Sequence, residues 1–266
     1  MSITNFLTFY NLLGVKVWPL TIAELNALIK SVIEEGHKSI ISNHNIHSLY
    51  LFHHDPKMRE FYGSSHYIHI DGMPIILFGR ILGLPVTRSQ RVTYADWIWP
   101  LIEEAAKNDW RIFYLGSKPG VANRGADILR FKFPELNIAT MHGYYDASPD
   151  SEENLAVLKK IKEYKPHILM VGMGMPRQEH WILDNLDKLE ANIILPSGAC
   201  IDYVAGAVPT PPRFLGKLGL EWLYRLASEP ARLWKRYLIE PWFVLFLFIK
   251  DFLMKISTFM NSEYQN

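Results

Sequence analysis

The 266-residue sequence contains a single cysteine, Cys200, so it cannot form an internal disulfide framework. One cysteine is typical of a protein from a reducing compartment. Lysine plus arginine (28) nearly balances aspartate plus glutamate (27), and this near-neutral charge argues against nucleic acid as a partner. With 49% hydrophobic residues, the chain is not disordered and can bury a substantial core.

Long apolar runs are also missing. The most hydrophobic stretch covers nine residues, 241–249, whereas a membrane-spanning helix needs about 20. The first 17 residues lack a basic segment ahead of an apolar run and a small-residue cleavage site. We therefore expect neither a membrane-spanning helix nor a signal peptide.

Several motifs that would identify a cofactor or a metal are absent. No G-x-x-x-x-G-K-[ST] occurs, which excludes a P-loop, and Arg177 stands where the dinucleotide fingerprint begun by Gly172-x-Gly174 needs its third glycine. Seven of the ten histidines fall between His37 and His69, but H-E-x-x-H and Asp-x-Asp do not occur. The sequence predicts no metal site and no cofactor.

The segment ILMVGMGMPRQEHW, residues 168–181, carries the clearest local signal. A short apolar strand leads to a turn with two glycines and then to a helix that begins near Pro176, a residue suited to the first helical turn. Glycines let the backbone approach a ligand, and a helix start offers unpaired N–H groups and partial positive charge. Arg177 and Gln178 add a cation and an amide. The pattern indicates equally a phosphate-binding loop or an ordinary strand-to-helix connection.

Apolar runs alternate with helical patterns along the chain. Strands are predicted at 39–42, 66–70, 110–115, 136–141, 168–171 and 192–195. Helices are predicted after the capping box at Thr21 and over 44–54, 74–82, 94–107 and 152–164. A further helix is predicted to follow GSKPG (116–120) and to end near Phe131. This alternation predicts an α/β fold, with a Rossmann-like, mostly parallel sheet and helices on both faces.

Polar residues follow several predicted strands, where α/β sheets bind their ligands. Asn43 and Asn45 follow the first of these strands, Asp71 and a glycine follow the second, and GSKPG (116–120) follows the third. Asp202 lies just beyond another strand. Asp71 is suited to act as a general base, although aspartate before glycine is more commonly a turn residue. The convergence of polar strand ends favours the functional interpretation.

The composition changes after residues 209–212. From 213 to 255 there are eight Lys/Arg and four Asp/Glu, a net charge of +4 (8 − 4), with aromatic residues and leucines between them. We therefore divide the chain into an α/β catalytic domain, 1–208, and a C-terminal helical appendage, 209–266.

Pro230 and Pro241 are predicted to divide the appendage into three short helices. Arg225, Arg232 and Arg236 are spaced to share one face if a helix continues through Pro230. Cationic and apolar surface together suit an anionic membrane interface, whereas the alternative is a subdomain packed on the core with snorkelling arginines. The run PWFVLFLFIKDFLMK is too apolar to lie freely in water, which favours membrane contact.

Five segments together indicate a family: VGMGMPRQEHWI, GLEWLYRLASEPARLWKRY, DGMP at Asp71, RVTYAD (91–96) and FYLGSKPGVA (113–122). They resemble the WecG/TagA/CpsF glycosyltransferases, glycosyltransferase family 26, from about Ser39 to Tyr237. The motifs G-x-G-x-P-[KR]-Q-E and G-L-E-W-x-x-R-L, in that order, are far more specific than a single glycine pattern.

The resemblance implies an inverting, metal-independent bacterial enzyme. It would transfer a sugar from a UDP-sugar to a polyprenyl-diphosphate-linked saccharide during synthesis of exopolysaccharide, capsule, teichoic acid or common antigen. It also implies a protein in the cytoplasm, peripheral to the inner face of the cell membrane, and it leaves a homo-oligomer open. Two other classes are considered: a nucleotide-binding oxidoreductase, which would need the missing glycine fingerprint, and a non-catalytic membrane-binding module.

Site residues follow from the same resemblance. Asp71 matches the family's proposed catalytic base and Gln178 a donor-binding glutamine, while Asn43 replaces the threonine of a Thr-x-Asn pattern and brings an amide in place of a hydroxyl. We assign catalytic roles to Asp71, Asn43 and Asn45. Donor binding is assigned to Gly116, Ser117, Lys118, Gly172, Gly174, Pro176, Arg177, Gln178, Glu179 and Asp202. Acceptor or phosphate binding is assigned to Arg91, Arg225, Arg232 and Arg236.

Overall fold

The computed structural model describes residues 7–210, 215 and 220–263, with side chains described as far as residue 254. Its main sheet has six strands: β3 (Ser39–His44), β4 (Tyr67–Ile70), β5 (Ile112–Gly116), β6 (Ile138–Met141), β7 (Ile168–Gly172) and β8 (Ile193–Pro196). They lie in the order β4-β3-β8-β7-β5-β6, and every neighbouring pair is parallel. The predicted sheet is confirmed, and it is parallel throughout. A separate antiparallel hairpin joins β1 (Tyr10–Leu12) to β2 (Val15–Val17).

Helices connect the strands and cover the sheet. Those of the α/β unit are α1 (Ile22–Glu34), α2 (Ile46–His54), α3 (Pro56–Ser64), α4 (Met73–Ile81), α5 (Tyr94–Lys107), α6 (Val121–Lys132), α7 (Glu152–Tyr164), α8 (Arg177–Asn185) and α9 (Cys200–Val204). Two 3₁₀ turns lie at Arg88–Gln90 and Leu186–Lys188. The appendage contains α10 (Glu221–Ser228), α11 (Pro230–Leu238) and α12 (Glu240–Glu263).

The core lies in two layers, one on each face of the sheet. Because side chains alternate along a strand, Ile40 belongs to the layer formed with α2, α3, α7 and α8, and Ile41 to the layer formed with α1, α5 and α6. Strands buried on both faces are mostly apolar, which explains why β5, β7 and β8 were recognisable as apolar runs. The prediction of helices on both faces is confirmed.

Three elements differ from the expectations. The β1–β2 hairpin was not predicted, because its strands have only three residues each. Helix α3 was not predicted either, although Asp55 caps it and Pro56 occupies its first position. Helix α12 was expected to be short but has 24 residues, and none of the helices in the described part of the chain is long and apolar enough to cross a membrane.

The appendage packs against the α/β unit mainly through α12. Val244 and Phe248 are buried there, and the Phe248 ring stacks on Phe78 of α4 with a centroid distance of 4.5 Å. The helix through Pro230 is interrupted, since α10 ends at Ser228 and α11 begins at Pro230. The single helical face that was considered for three arginines is therefore not formed. The predicted domain boundary at 209–212 falls partly outside the described residues.

Candidate active site

A cavity of about 470 Å³ lies between the carboxyl ends of β3 and β4 and the helices α10, α11 and α12. Its apolar wall includes Phe78 from α4, Trp222 from α10, and Trp242 and Leu245 from α12. Its polar lining is concentrated at the strand ends and on the facing helices: Asn45, His47, Asp71, Arg91, Glu221, Arg225 and Arg236. The described lining of the cavity therefore combines two carboxylates, three arginines and a large apolar surface.

Asp71 follows β4 directly and is held at the cavity by the neighbouring strand end. Its backbone N–H donates to the carbonyl of His44 (2.9 Å), and its carboxylate accepts a hydrogen bond from the Asn45 amide (Nδ2 to Oδ2, 3.0 Å). The Asn45 Oδ1 in turn accepts from the backbone N–H of Ser48, because Asn45 is the N-cap of α2. The cap thus fixes the orientation of the amide that holds Asp71.

Asn43 does not line this cavity. It lies within β3, directly before His44, and it is buried, with 7% of its surface exposed. Its side-chain amide donates to the backbone carbonyl of Pro196 in β8 (3.2 Å), and its backbone carbonyl accepts from the Tyr62 hydroxyl (2.8 Å). Asn43 therefore links β3 to β8 and to α3 through hydrogen bonds.

Three arginines reach the cavity, and two of them retain an unpartnered N–H group. Arg91 follows the first 3₁₀ turn and forms an ion pair with Glu221, while Arg225 lies over the Tyr203 ring at 5.5 Å. The Nε atoms of Arg91 and Arg225 are buried without a hydrogen-bond partner among the described residues. Burial lowers the pKa of Arg236, although the nearby Tyr237 opposes this shift.

Arg232 is separated from this group. It is exposed and forms two hydrogen bonds with Glu229, at 2.6 and 2.8 Å. Arg225 and Arg236 reach the cavity from different helices, α10 and α11.

Two carboxylates attach the appendage to the α/β unit beside the cavity. Glu221, the first residue of α10, contacts Arg91, and Glu240, the first residue of α12, contacts His47 (Nδ1 to Oε2, 2.7 Å). The His47–Glu240 contact is largely buried. Burial lowers the pKa of His47, while the hydrogen bond to Glu240 opposes the shift.

Close packing at the ends of β5 and β7 requires glycine. Gly116 and Gly172 are paired in register, and a Cβ added to Gly116 would lie 2.4 Å from the Gly172 carbonyl oxygen. A Cβ added to Gly172 would lie 2.2 Å from the Tyr114 hydroxyl. Gly174 has a φ of +81°, which glycine adopts without strain.

Gln178 is buried inside this end of the sheet, with 2% of its surface exposed. Its Oε1 accepts hydrogen bonds from the backbone N–H of Gly174 (3.2 Å) and of Gly198 (3.1 Å), joining the loops that follow β7 and β8. Its Nε2 donates to Glu179 (2.8 Å). The side-chain amide is therefore engaged within the protein.

Glu179 is equally buried, and its Oε2 has no hydrogen-bond partner among the described residues. Burial raises its pKa to about 7, although the hydrogen bond from Gln178 opposes the shift. Burial therefore favours the neutral form of this carboxyl group.

A second polar cluster lies at the ends of β5 and β8. The Ser117 hydroxyl donates to Asp202 (3.0 Å) and lies 2.8 Å from the Tyr114 hydroxyl. Burial raises the pKa of Asp202, while Ser117 and the charge of Lys118 oppose the shift. Arg177, at the start of α8, is directed elsewhere and donates to the carbonyl of Tyr145 (3.0 Å).

The predicted residues thus form two groups on one edge of the sheet. Asp71, Asn45 and the arginines lie at β3 and β4, and the glycines, Ser117 and Asp202 lie at β5, β7 and β8. Strand β8 is the direct neighbour of β3, so the two groups are adjacent.

Histidines of the histidine-rich segment, 37–69, lie on opposite faces of the sheet. His44 lies against the Tyr62 ring on one face of the sheet, whereas His69 contacts Tyr94 and Trp97 on the other. Among the described residues, no group of three or more His, Cys, Asp or Glu side chains could hold a metal ion.

His47, Glu221 and Glu240 were not predicted as site residues. His47 had been considered only as one of a histidine cluster, and Glu240 lies 193 positions from it. Glu221 alone had a sequence signal, because it is the glutamate of the G-L-E-W motif.

Comparison with known proteins reveals clear similarity. The model of the glycosyl transferase WecG/TagA/CpsF family matches residues 10–257. The N-acetylglucosaminyldiphosphoundecaprenol N-acetyl-beta-D-mannosaminyltransferase of Staphylococcus aureus strain MW2 is 27% identical over 213 residues, which cover 76% of this chain and 79% of the relative. The enzymes of the same name from strains NCTC 8325 / PS 47 and MRSA252 match with the same identity and coverage.

Proposed function

Because the chain belongs to the WecG/TagA/CpsF family of glycosyl transferases, we propose that it transfers a sugar from a UDP-sugar to a saccharide linked to polyprenyl diphosphate. The transfer proceeds with inversion and without a metal ion, as part of the synthesis of a bacterial cell-surface polysaccharide. Membership in a glycosyl transferase family leaves no support for the oxidoreductase or for the non-catalytic module.

The cavity beside Asp71 carries this proposal. Its arginines suit a diphosphate, and its apolar wall of Phe78, Trp222, Trp242 and Leu245 suits the lipid attached to that diphosphate. The names of the Staphylococcus aureus relatives describe an acceptor in which a sugar, a diphosphate and undecaprenol are joined. An acceptor of this class has the same succession of polar, anionic and apolar parts as the cavity.

Asp71 is the general base. Its carboxylate removes the proton from an acceptor hydroxyl as that oxygen bonds to the anomeric carbon of the donor, and the bond between this carbon and the UDP oxygen breaks. The electron pair leaves with UDP. Asn45 keeps the carboxylate oriented through its hydrogen bond.

The donor lies across the ends of β5, β7 and β8. Ser117, Lys118 and Asp202 provide polar contacts, and the N-terminus of α8, at Arg177, offers its partial positive charge to the nucleotide phosphates. Gln178 contributes by holding the loops after β7 and β8 in place, since its amide is engaged with both. Fixed dipoles and cations stabilise the leaving diphosphate in the role that a metal ion has in other enzymes.

The outer surface of the appendage contacts the inner face of the cell membrane. Large apolar side chains are exposed on it and on neighbouring α4, notably Trp242 (70% exposed), Phe246, Leu253, Leu77 and Ile81. Exposed apolar surface of this extent is typical of an interaction site, and a lipid-linked acceptor is itself anchored in the membrane. The appendage, 209–266, thus presents the acceptor to the catalytic domain, 1–208.

A substrate panel tests this proposal. Purified protein is incubated with individual UDP-sugars and a polyprenyl-diphosphate-linked acceptor, with and without EDTA, and released UDP is quantified. We expect release that depends on one donor and one acceptor and is unaffected by EDTA. Asp71→Asn should abolish turnover but retain UDP-sugar binding, because it keeps the size of the side chain and loses the base. Absence of UDP release with every donor, or full activity of Asp71→Asn, would contradict the assignment.

A further inference from the structure

The ion pair between Glu221 and Arg91 engages only part of the guanidinium group. Its Oε2 contacts Nη2 of the guanidinium, and both side chains are largely buried at the cavity (11% exposed for Arg91 and 18% for Glu221). The neighbouring Nε of Arg91 is buried without a partner among the described residues. Glu221 therefore satisfies only part of the hydrogen-bonding capacity of the Arg91 guanidinium group.

The geometry of a guanidinium group makes this pairing informative. Nε–H and one Nη2–H point in the same direction and form the fork that binds two oxygens of a carboxylate or a phosphate. In this structure Glu221 already holds Nη2, one of the two nitrogens of the fork. A phosphate that binds both nitrogens of Arg91 therefore competes with the Glu221 carboxylate for Nη2.

The charges around the cavity lead to the same conclusion. Three arginines line it, Arg91, Arg225 and Arg236, together with two carboxylates, Asp71 and Glu221. A diphosphate placed beside both carboxylates would be repelled by each of them. Asp71 is fixed by Asn45 and the end of β4, so Glu221 is the carboxylate that can withdraw.

Helix α10 is suited to such a withdrawal. None of its side chains is fully buried, so Glu221 can move without opening a packed core. Glu221 also stands at the helix N-terminus, where the helix dipole stabilises a carboxylate after it leaves the arginine.

We propose that Glu221 is a counter-ion that a substrate diphosphate displaces from Arg91. A diphosphate can replace Glu221 on Arg91 and at the same time reach Arg225, whose buried Nε also has no hydrogen-bond partner among the described residues. The inference rests on the proposed function, because it concerns the same substrate diphosphate.

Calorimetric titration of the full-length protein with inorganic pyrophosphate and with inorganic phosphate, in EDTA, tests this inference. Glu221→Gln removes the competing charge and keeps the shape of the side chain. We expect it to bind pyrophosphate about tenfold more tightly than the wild type, because one nearby negative charge is removed. Its affinity for phosphate should rise by no more than that factor, because removal of the competing carboxylate helps a ligand only to the extent that the ligand displaces it.

Two further variants complete the comparison. Arg91→Gln should lose most of the pyrophosphate affinity. Glu190→Gln is the matched control, because Glu190 forms an exposed ion pair with Lys162 at 2.7 Å, away from the cavity, and should bind like the wild type. UDP and geranyl diphosphate are then titrated separately. The ligand whose affinity increases in Glu221→Gln identifies whether the exchanging diphosphate belongs to the donor or to the lipid, and either result supports the exchange.

Unchanged or weaker pyrophosphate binding by Glu221→Gln would overturn the inference, as would the absence of pyrophosphate binding in every variant. These titrations require no turnover. If the wild type transfers a sugar but Glu221→Gln binds pyrophosphate no better, only the inference fails. If the wild type transfers nothing but Glu221→Gln binds more tightly, the proposed function fails and the exchange stands.

Discussion

Replacement of Gln178 by methionine removes three hydrogen bonds from a buried side chain of similar size. Two backbone N–H groups, of Gly174 and Gly198, lose their acceptor, and the Glu179 carboxyl group loses its donor. At roughly 1 kcal/mol for each neutral bond and about 2 kcal/mol for the bond to the carboxylate, the free energy of unfolding should fall by about 4 kcal/mol. For a chain of this length that corresponds to a fall of about 10 °C in Tm.

The loss should also depend on pH, because Glu179 titrates. Burial raises the pKa of Glu179 from its ordinary value of 4.5 to about 7. A carboxyl group with a raised pKa contributes stability that is fully present below pH 4.5 and is lost as the pH rises through 7. Without the Gln178 amide, which favours the charged form, this pKa should rise further. The difference in stability between the wild type and Gln178→Met should therefore be larger at pH 8 than at pH 5.

Urea unfolding of both proteins at pH 5 and pH 8 measures this difference directly. Gln90→Met serves as the comparison, because Gln90 lies in the capping box of the exposed 3₁₀ turn and accepts hydrogen bonds from the backbone N–H and the hydroxyl of Thr87. It should cost about 1 kcal/mol at either pH. A loss below about 1 kcal/mol for Gln178→Met, or one that is the same at both pH values, would refute the bracing role derived from these contacts.

Three further outcomes are expected. Gly116→Ala places a Cβ 2.4 Å from a backbone oxygen and should lower the free energy of unfolding, measured by urea titration, by about 3 kcal/mol. The control Gly63→Ala in α3 has no described atom within 4 Å of the added Cβ and should be neutral or slightly stabilising. His47→Leu leaves the buried carboxylate at the start of α12 unpaired and should cost about 2 kcal/mol by the same measurement; an unchanged midpoint would contradict a structural contact. Trp242→Ser should weaken sedimentation with anionic vesicles, while Phe131→Ser, at a 90% exposed position of α6, should not; equal effects would argue against a membrane face on the appendage.

The fold could be predicted because its signals are local. Strands β5, β7 and β8 are buried on both faces and therefore consist of uninterrupted apolar residues, which a sequence displays directly. Helices α5 and α7 begin and end at the predicted residues, since each has strong periodicity and a clear end. The β1–β2 hairpin had no comparable signal, because three residues are too few for an alternating pattern to stand out.

The site was predictable in its position but only in part in its contacts. Strand ends of a parallel sheet meet at one edge, so Asp71, Ser117 and Asp202 were expected there and lie there. The direction of Asn43 toward Pro196 depends on where β3 ends, which the sequence does not mark. The pairing of His47 with Glu240 joins positions 193 residues apart and leaves no local trace.

The helices that close the cavity also come from one continuous piece of chain. Trp222, Arg225, Arg236 and Trp242 all come from the C-terminal segment, whereas the proposed donor contacts come from strands earlier in the sequence. Under the proposed function, a recombinant protein in which this segment is exchanged for that of a relative would receive most of a new acceptor wall in one step, with Phe78 and Arg91 retained, and would keep its proposed nucleotide contacts. We therefore expect a single crossover to alter the acceptor range, provided that the incoming helices still begin with carboxylates that meet Arg91 and His47.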